Sequence, residues 1–257
     1  MAGTDLRRAW DLLMVLTVAR IREERELTPL GILKWSMEPA SYAAVYVLLF
    51  GVLLQRNRFA FPVFLLTALI PFRYLTGVLM SSMSVVRAHT SLVTHHVFPL
   101  RVLPLVSMLT ELPNFLLSLL LVVPVMLYFG IVPGPEVVLV VPAIALMVLI
   151  GAGPAYILAT MGLRFPGLRG LVGNLIRISF FASSALVPLE DVGNPTIRLL
   201  LRANPMTGLF EAFRDALLRG EAPGLVDIAY PLVFGVVALW IGLRLYGAHE
   251  RHFAKVV

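Results

Sequence analysis

The 257-residue sequence contains no cysteine and few charged residues. Without cysteine the chain forms neither a disulfide nor a cysteine-based metal site, and its redox compartment stays undetermined. Charged residues make up 14% of the sequence, whereas a soluble domain has about a quarter, and hydrophobic residues make up 59%. This composition predicts an all-α integral membrane protein that crosses the bilayer several times.

Several nucleotide-binding and catalytic motifs are also missing. The sequence has no Gly-x-x-x-x-Gly-Lys-[Ser/Thr] P-loop, so the chain is not expected to bind ATP on its own. It has no Gly-x-Ser-x-Gly, no His-Glu-x-x-His and no Asp-rich cluster that would hold magnesium on a prenyl diphosphate. The adjacent His95 and His96 lack a nearby carboxylate, so a solvated loop explains them better than a metal site. We expect no metal and no cofactor in this chain.

Six membrane spans are predicted from apolar runs that suit about 30 Å of hydrocarbon. Residues 5–26 precede them and combine apolar residues at helical spacing with charges. This pattern indicates an amphipathic helix on the cytoplasmic surface, with a soluble N-terminal helix as the alternative. The first five spans lie within 35–187, and residues 247–257 form a polar tail. The predicted spans are 35–54, 61–86, 103–129, 137–163, a fifth that contains 178–187, and 228–246.

The distribution of basic residues predicts the orientation. With six spans both termini share one side, and most arginines and lysines fall there, which places the termini in the cytoplasm. The net charge of +6 therefore requires no nucleic-acid partner. The N-terminus shows no small-residue cleavage pattern and is expected to be retained. No internal repeat is apparent, which argues against an inverted-repeat secondary transporter.

Residues 188–223 differ from both a span and an ordinary loop. Pro188 is expected to end the fifth span, and two short segments follow on either side of Asn204-Pro205. Each segment is apolar on one side and charged on the other, and each is too short to cross the bilayer. Irregular backbone at such a depth must be covered by protein or line a watery cavity. The stretch is thus predicted to be an outward-facing gate over a pathway.

Three ionisable residues fall inside predicted spans: Arg73, Glu111 and Arg177. A charge at the bilayer centre costs about 2.5–3.5 kcal/mol on insertion scales, so each is expected to face a partner or a wet cavity. One hypothesis is a polar pathway in which Glu111 pairs with an arginine. The alternative is that the arginines snorkel to the interface and Glu111 is a buried structural partner; for Arg177 snorkelling is favoured.

Aromatic residues near these positions suggest the kind of substrate. Phe72, Tyr74, Phe180 and Phe181 lie in interrupted spans near small polar residues such as Ser183. Aromatic faces can stack on the C–H faces of sugar rings without selecting one sugar, which suits a sliding polymer. Interface anchoring and simple core packing are the alternatives for each residue.

Short strings spread over nearly the whole chain occur in the order of a known family. They are Leu30-Gly31, Glu38-Pro39, Phe61-Pro62-Val63-Phe64-Leu65-Leu66, Leu69-Ile70-Pro71-Phe72, Phe98-Pro99-Leu100, Leu103-Pro104, Phe165-Pro166, Asn204-Pro205 and Phe213-Arg214. Together they resemble the transmembrane subunit of ABC exporters for capsular polysaccharide, O-antigen and teichoic acid, and most closely the capsule branch.

The resemblance implies a homodimeric permease in the bacterial inner membrane, with its pathway at the subunit interface. It implies two separate ATPase subunits that hold ATP and Mg, and export of a lipid-linked or lipid-capped polysaccharide. Whether periplasmic or outer-membrane components take part stays open. The alternatives are an ABC permease for a drug or lipid, and an intramembrane enzyme that acts on a lipid-linked sugar.

The resemblance also assigns roles to residues of this sequence. The pathway candidates are Phe72, Tyr74, Phe180 and Phe181, to which the charge and polarity arguments above add Arg73, Glu111 and Ser183. The cytoplasmic loop that would dock on the ATPase contains Arg87, His95, His96 and Val97. The outer gate would contain Asn204, Pro205, Phe213 and Arg214.

Overall fold

The computed structural model describes residues 2–25, 41, 61–90, 100–165, 167–250 and 253. Regular structure in these ranges is helical throughout, as predicted, and contains no β-strand. Short 3₁₀ turns at Leu100–Val102, Pro135–Leu139 and Leu189–Asp191 and a π-helical turn at Asp215–Arg219 lie between the α-helices. The α-helices with described bounds are α1 (Ala2–Arg25), α2 (Phe61–Ala88), α3 (Leu103–Tyr128), α4 (Val140–Arg164), α5 (Leu168–Phe181), α6 (Pro195–Arg202), α7 (Pro205–Arg214) and α8 (Leu225–His249).

Four helical stretches in the described part of the chain are long and apolar enough to cross a membrane: α2, α3 and α4 with their preceding turns, and α8. At 1.5 Å per residue they measure about 40 Å, more than the roughly 30 Å of hydrocarbon. They confirm the predicted spans 61–86, 103–129, 137–163 and 228–246 as apolar helices. The predicted first span, 35–54, lies outside the described residues apart from Ser41.

The N-terminal helix is present as α1. Leu13 is buried and packs with Val102 and Val106 at the start of α3, whereas Trp10 and Val15 are exposed. One apolar face thus docks on the protein and another remains open. The position of α1 on the cytoplasmic membrane surface stays a prediction.

The described spans differ in how deeply they lie within the chain. In the apolar part of α2 about two thirds of the residues are buried, whereas in that of α8 only 22% are buried. Helix α2 is therefore central and α8 peripheral. Small residues bring α4 and α8 close together. A Cβ added to Gly153 would lie 2.3 Å from the carbonyl carbon of Ala238, and one added to Gly242 would lie 2.6 Å from the Gly153 carbonyl oxygen. Such residues let two helix backbones approach, which is how membrane helices commonly pack.

The predicted continuation of a fifth span through 178–187 is wrong. Helix α5 has 14 residues and ends at Phe181, and residues 182–187 form turns. At about 21 Å it is too short to cross the hydrocarbon layer alone. Polar side chains end the helix early because they take its last carbonyl groups. The Ser183 hydroxyl donates to the Phe180 carbonyl, and the Asn204 amide donates to the carbonyls of Ser179 and Ala182 at 2.6 and 3.0 Å.

Two short helices follow, each begun by the same Asn-Pro device. Asn194 and Asn204 accept hydrogen bonds from backbone N–H groups of the first turns of α6 and α7, and a proline occupies the next position in each helix. Asn is a preferred N-cap residue, and Pro suits the first helical position because its missing N–H is not needed there. Asn204 therefore joins the end of α5 to the start of α7.

The predicted two-sided pattern is wrong for α7. Every residue from 206 to 214 is buried, including Phe213 and Arg214. Helix α7 packs among α2, α4 and α8. By contrast α6 is exposed, with Leu199 and Leu200 turned outward. One of the two short segments therefore enters the protein interior and the other stays at its periphery.

Candidate functional site

A cavity of about 340 Å³ lies between α2 and α3. Four of the predicted pathway residues line it: Phe72, Arg73, Tyr74 and Glu111. Sequence reasoning did not single out its further polar lining, which consists of Thr76, Asn114 and Ser118. The spacing of 111, 114 and 118 on one helix face was the available signal, since side chains three and four residues apart are neighbours.

Glu111 occupies space that a glycine leaves free. A Cβ on Gly77 would lie 2.7 Å from the carboxylate carbon of Glu111 and 2.7 Å from its Oε2. Arg73 lies one turn before Gly77 on α2 and lines the same cavity. The cavity thus contains groups of both charges inside an apolar helix pair. The Oδ1 atom of Asn114 is buried without a hydrogen-bond partner among the described residues.

Tyr74 has a structural role beside the cavity. Its hydroxyl donates to the Met108 carbonyl at 3.3 Å, and its ring contacts Phe115 edge-on with centroids 5.6 Å apart. The side chain is almost fully buried. It therefore ties α2 to α3 at one wall of the cavity.

The predicted aromatic and polar residues of 178–187 are divided by the structure. Phe180 is buried and packs on Phe72 with ring centroids 4.4 Å apart, so it backs the cavity wall. Phe181 is exposed beside Phe180 on α5, and the hydroxyl of Ser183 is used within the turn that follows. Neither belongs to the lining of the cavity. Arg177, for which snorkelling is favoured, is exposed on α5.

A second group of charged residues lies on α7, the π-helical turn and the 3₁₀ turn Leu189–Asp191, and we call Glu190, Glu211, Arg214, Asp215 and Arg219 the ionic cluster. The Glu211 carboxylate accepts from Arg214 at 2.8 Å through one oxygen and from Arg219 at 2.9 Å through the other. Arg219 also pairs with Asp215 and, at 3.1 Å, with Glu190. The cluster runs from the protein interior to the surface, because Arg214 is 1% exposed and the Glu190 side chain 75%.

Arg214 has the most contacts in the ionic cluster. Its guanidinium donates to the carbonyls of Ser184 at 2.8 Å, Ala185 at 3.0 Å and Phe64 at 3.4 Å. Its central carbon also lies 3.5 Å from the centroid of the Phe64 ring, a cation–π contact. The predicted gate residue is therefore a buried junction among α2, α7 and the turn after α5.

Burial and neighbouring charge act in opposite directions on this arginine. Burial lowers the pKa of Arg214 to about 10, and the charge and hydrogen bond of Glu211 limit that fall. The side chain stays protonated at neutral pH. Burial also lowers the pKa of Arg219, but the hydrogen bond with Asp215 and the charge of Glu211 outweigh it, so the net pKa is raised.

Sequence reasoning identified Arg214 but missed the ion pairs of the ionic cluster around it. Glu211, Asp215 and Arg219 recur at intervals of four, which puts them on one helix face. That pattern signals an ion-pair network, but it does not reveal that Glu211 and Asp215 are buried.

The predicted ATPase-coupling residues are only partly described. Arg87 donates from Nη2 to the Leu163 carbonyl at 2.7 Å, so it links the end of α2 to the end of α4. His95, His96 and Val97 lie outside the described residues. Within the described ranges no group of three or more His, Asp or Glu residues is placed to hold a metal ion.

Comparison with known proteins identifies the family. A family profile described as ABC-2 type transporter matches residues 28–218. The O-antigen export system permease protein RfbA of Myxococcus xanthus is 28% identical over 247 residues, which cover 96% of this chain and 95% of that protein. A protein of the same name from Klebsiella pneumoniae is 25% identical over 256 residues, covering 98% and 97%. The polysialic acid transport protein KpsM of Escherichia coli is 28% identical over 228 residues, covering 86% and 87%.

These relatives are named permease or transport proteins, which confirms the predicted transport class. The four helices of spanning length agree with a multi-pass membrane protein. Because the family profile covers most of the chain, the protein belongs to the ABC-2 type transporter family.

Proposed function

We propose that this chain is the permease subunit of an exporter that moves a lipid-linked or lipid-capped polysaccharide outward across the bacterial inner membrane. The observation that carries the proposal is similarity over nearly the whole chain to proteins named for O-antigen export and polysialic acid transport. A cavity with polar and charged lining between two apolar helices supports a transport role, because charged residues in spans mark substrate pathways.

The energy for export comes from a separate subunit. The sequence contains no P-loop, and the resemblance to ABC exporters implies a working assembly of two copies of this chain with two ATPase chains that bind ATP and Mg. We keep six crossings per copy with both termini in the cytoplasm, in which α5 and the turns at 182–187 together make the fifth crossing because α5 alone is too short. The loop that begins at Arg87 and contains His95, His96 and Val97 docks on the ATPase.

The cavity between α2 and α3 forms part of the glycan pathway. Phe72 offers an aromatic ring for sugar C–H faces, while Arg73, Glu111 and Asn114 offer hydrogen bonds. This combination resembles ordinary ligand sites, where a mostly apolar lining carries a few polar groups that set orientation. Residues 188–223 form the outer gate, with Asn204 as the joint between α5 and α7.

One experiment separates this function from its alternatives. The tagged chain is purified from its host in mild detergent and its partners are identified by mass spectrometry, and a strain lacking the gene is scored for surface polysaccharide. We expect an ATPase with a P-loop in equal amount and loss of surface glycan. A chain recovered without ATPase would support the intramembrane enzyme, and normal surface glycan with an ATPase bound would support a drug or lipid permease.

A further inference from the structure

Two of the aromatic rings that line the cavity, Phe115 and Phe72, form what we call its aromatic wall. Helix α7 contacts the first directly and the second through Phe180. The ring of Phe213 meets Phe115 edge-on with centroids 6.1 Å apart, and Phe115 lines the cavity. The ring of Phe210 lies 6.2 Å from Phe180, which packs on the lining residue Phe72. Both α7 rings are fully buried. Because buried aromatic contacts transmit displacements, the position of α7 sets the shape of that wall.

Arg214 follows directly after Phe213 and fixes α7 to two other segments. Nη1 donates to the Ser184 carbonyl and Nη2 to the Ala185 carbonyl, both in the turn after α5, and Nη2 also reaches the Phe64 carbonyl of α2. The guanidinium is planar and presents donors in fixed directions, so it can hold several divergent acceptors at once. A lysine has one nitrogen and cannot reproduce that set.

Glu211 performs a different task in the same place. Its carboxylate lies 2.8 Å from Arg214 and compensates a charge that burial makes costly. The two tasks can be separated by mutation. Neutral side chains at positions 211 and 214 leave no buried charge to compensate, but they do not restore the guanidinium contacts to Ser184 and Ala185. This separation makes the role of Arg214 testable.

We propose that Arg214 is a positioning residue for transport: by holding the carbonyls of residues 184 and 185 it keeps α7 in place and thereby fixes the aromatic wall of the cavity between α2 and α3. The inference rests on the proposed function where export is the readout. The link between Arg214 and the shape of the cavity is independent of the substrate. Arg214 itself does not line the cavity.

The absence of cysteine allows a direct test in the full-length protein. Ser118→Cys places a thiol in the lining of the cavity, and Ser81→Cys is the matched control. Both serines are half-buried and donate to a backbone carbonyl of their own helix, but Ser81 does not line the cavity. Each cysteine is introduced into two backgrounds: the otherwise unchanged chain, which is the parent, and the double variant Glu211→Gln with Arg214→Gln. All four proteins are labelled with N-ethylmaleimide in membranes of the host.

We expect the double variant to accumulate in the membrane and to label about tenfold faster at position 118, the change that corresponds to about 1.4 kcal/mol less free energy holding α7 in place. Labelling at position 81 stays unchanged and glycan export falls. Equal labelling at position 118 would overturn the proposal. Faster labelling at both positions would also overturn it, because it would show general loosening.

Arg214→Lys keeps the charge and provides a second test if the double variant does not fold. We expect it to assemble, to label faster at position 118 and to lose export. Parental labelling and full export would show that the positive charge alone is sufficient, which contradicts the proposal. If the parent chain exports no glycan, the proposed function fails, while the labelling comparison still decides the role of Arg214.

Discussion

Two groups of charged residues lie inside this apolar chain, one around the cavity between α2 and α3 and the other in the ionic cluster on α7. In the cluster, protein groups surround the charges, and Arg214 reaches three backbone carbonyls and a carboxylate. In the cavity, Glu111 and Arg73 border about 340 Å³ of space. Charged groups enclosed by protein hold a fold together, whereas charged groups that border open space can also meet a ligand. The two groups therefore predict different effects of mutation.

Glu211→Ala is expected to have the largest effect on folding. It leaves Arg214 buried without its carboxylate, and breaking a buried pair in this way costs about 3–5 kcal/mol. We predict a low yield of folded protein in the membrane and a lowered Tm in detergent. A parental yield and Tm would show that the backbone carbonyls are sufficient for Arg214.

Glu111→Ala is expected to have the largest effect on export with little effect on folding. The carboxylate borders a cavity that water can enter, so its loss is expected to cost the fold less than the loss of a carboxylate enclosed by protein. We predict no surface glycan, with parental amounts of permease and of co-purified ATPase. Normal surface glycan would show that Glu111 is dispensable and that the cavity is not a pathway.

Gly77→Ala is a milder test of the same cavity. Its Cβ would lie 2.7 Å from the Glu111 carboxylate carbon, so the carboxylate must move. The matched control is Gly173→Ala, whose Cβ would meet Met80 only at an ordinary 3.7 Å. Each change gains about 0.5–1 kcal/mol of helix stability from the loss of glycine. We predict reduced export for Gly77→Ala and parental export for Gly173→Ala. Equal export in both would show that export does not depend on where the Glu111 carboxylate lies.

Glu190→Gln is expected to have the smallest effect. The pair of Glu190 and Arg219 lies at the exposed end of the ionic cluster, with 75% and 30% of the side chains exposed. An exposed pair contributes about 0–1 kcal/mol and is screened by salt. We predict a Tm within about two degrees of the parent at low salt and no difference at high salt. A loss as large as that of Glu211→Ala would mean that the cluster depends on its surface end.

The helices α2, α3, α4 and α8 were predictable from long apolar runs, because each run is long enough to cross the hydrocarbon layer as a helix. The cavity was partly predictable for a related reason. A charged residue such as Glu111 in an apolar helix requires polar groups or water beside it. The structure places Arg73 and Asn114 around the same cavity.

The end of α5 and the burial of Arg214 were not predictable from local pattern. Helix α5 ends at Phe181 because Asn204, more than twenty residues later, takes the carbonyl of Ser179 in its last turn and that of Ala182 just after it. Arg214 reads as the charged side of a short amphipathic segment, but its hydrogen-bond acceptors lie in α2 and in the turn after α5. Both features depend on contacts between distant parts of the chain, which helical spacing does not encode.

The most direct test of the account is whether the glycan occupies the cavity between α2 and α3. Ser118→Cys in the cysteine-free chain is labelled with N-ethylmaleimide in cells that make the polysaccharide and in cells blocked in its synthesis, with Ser81→Cys as the control. The account predicts slower labelling at position 118 when the polysaccharide is present and no difference at position 81. Equal labelling at position 118 in both kinds of cell would contradict it.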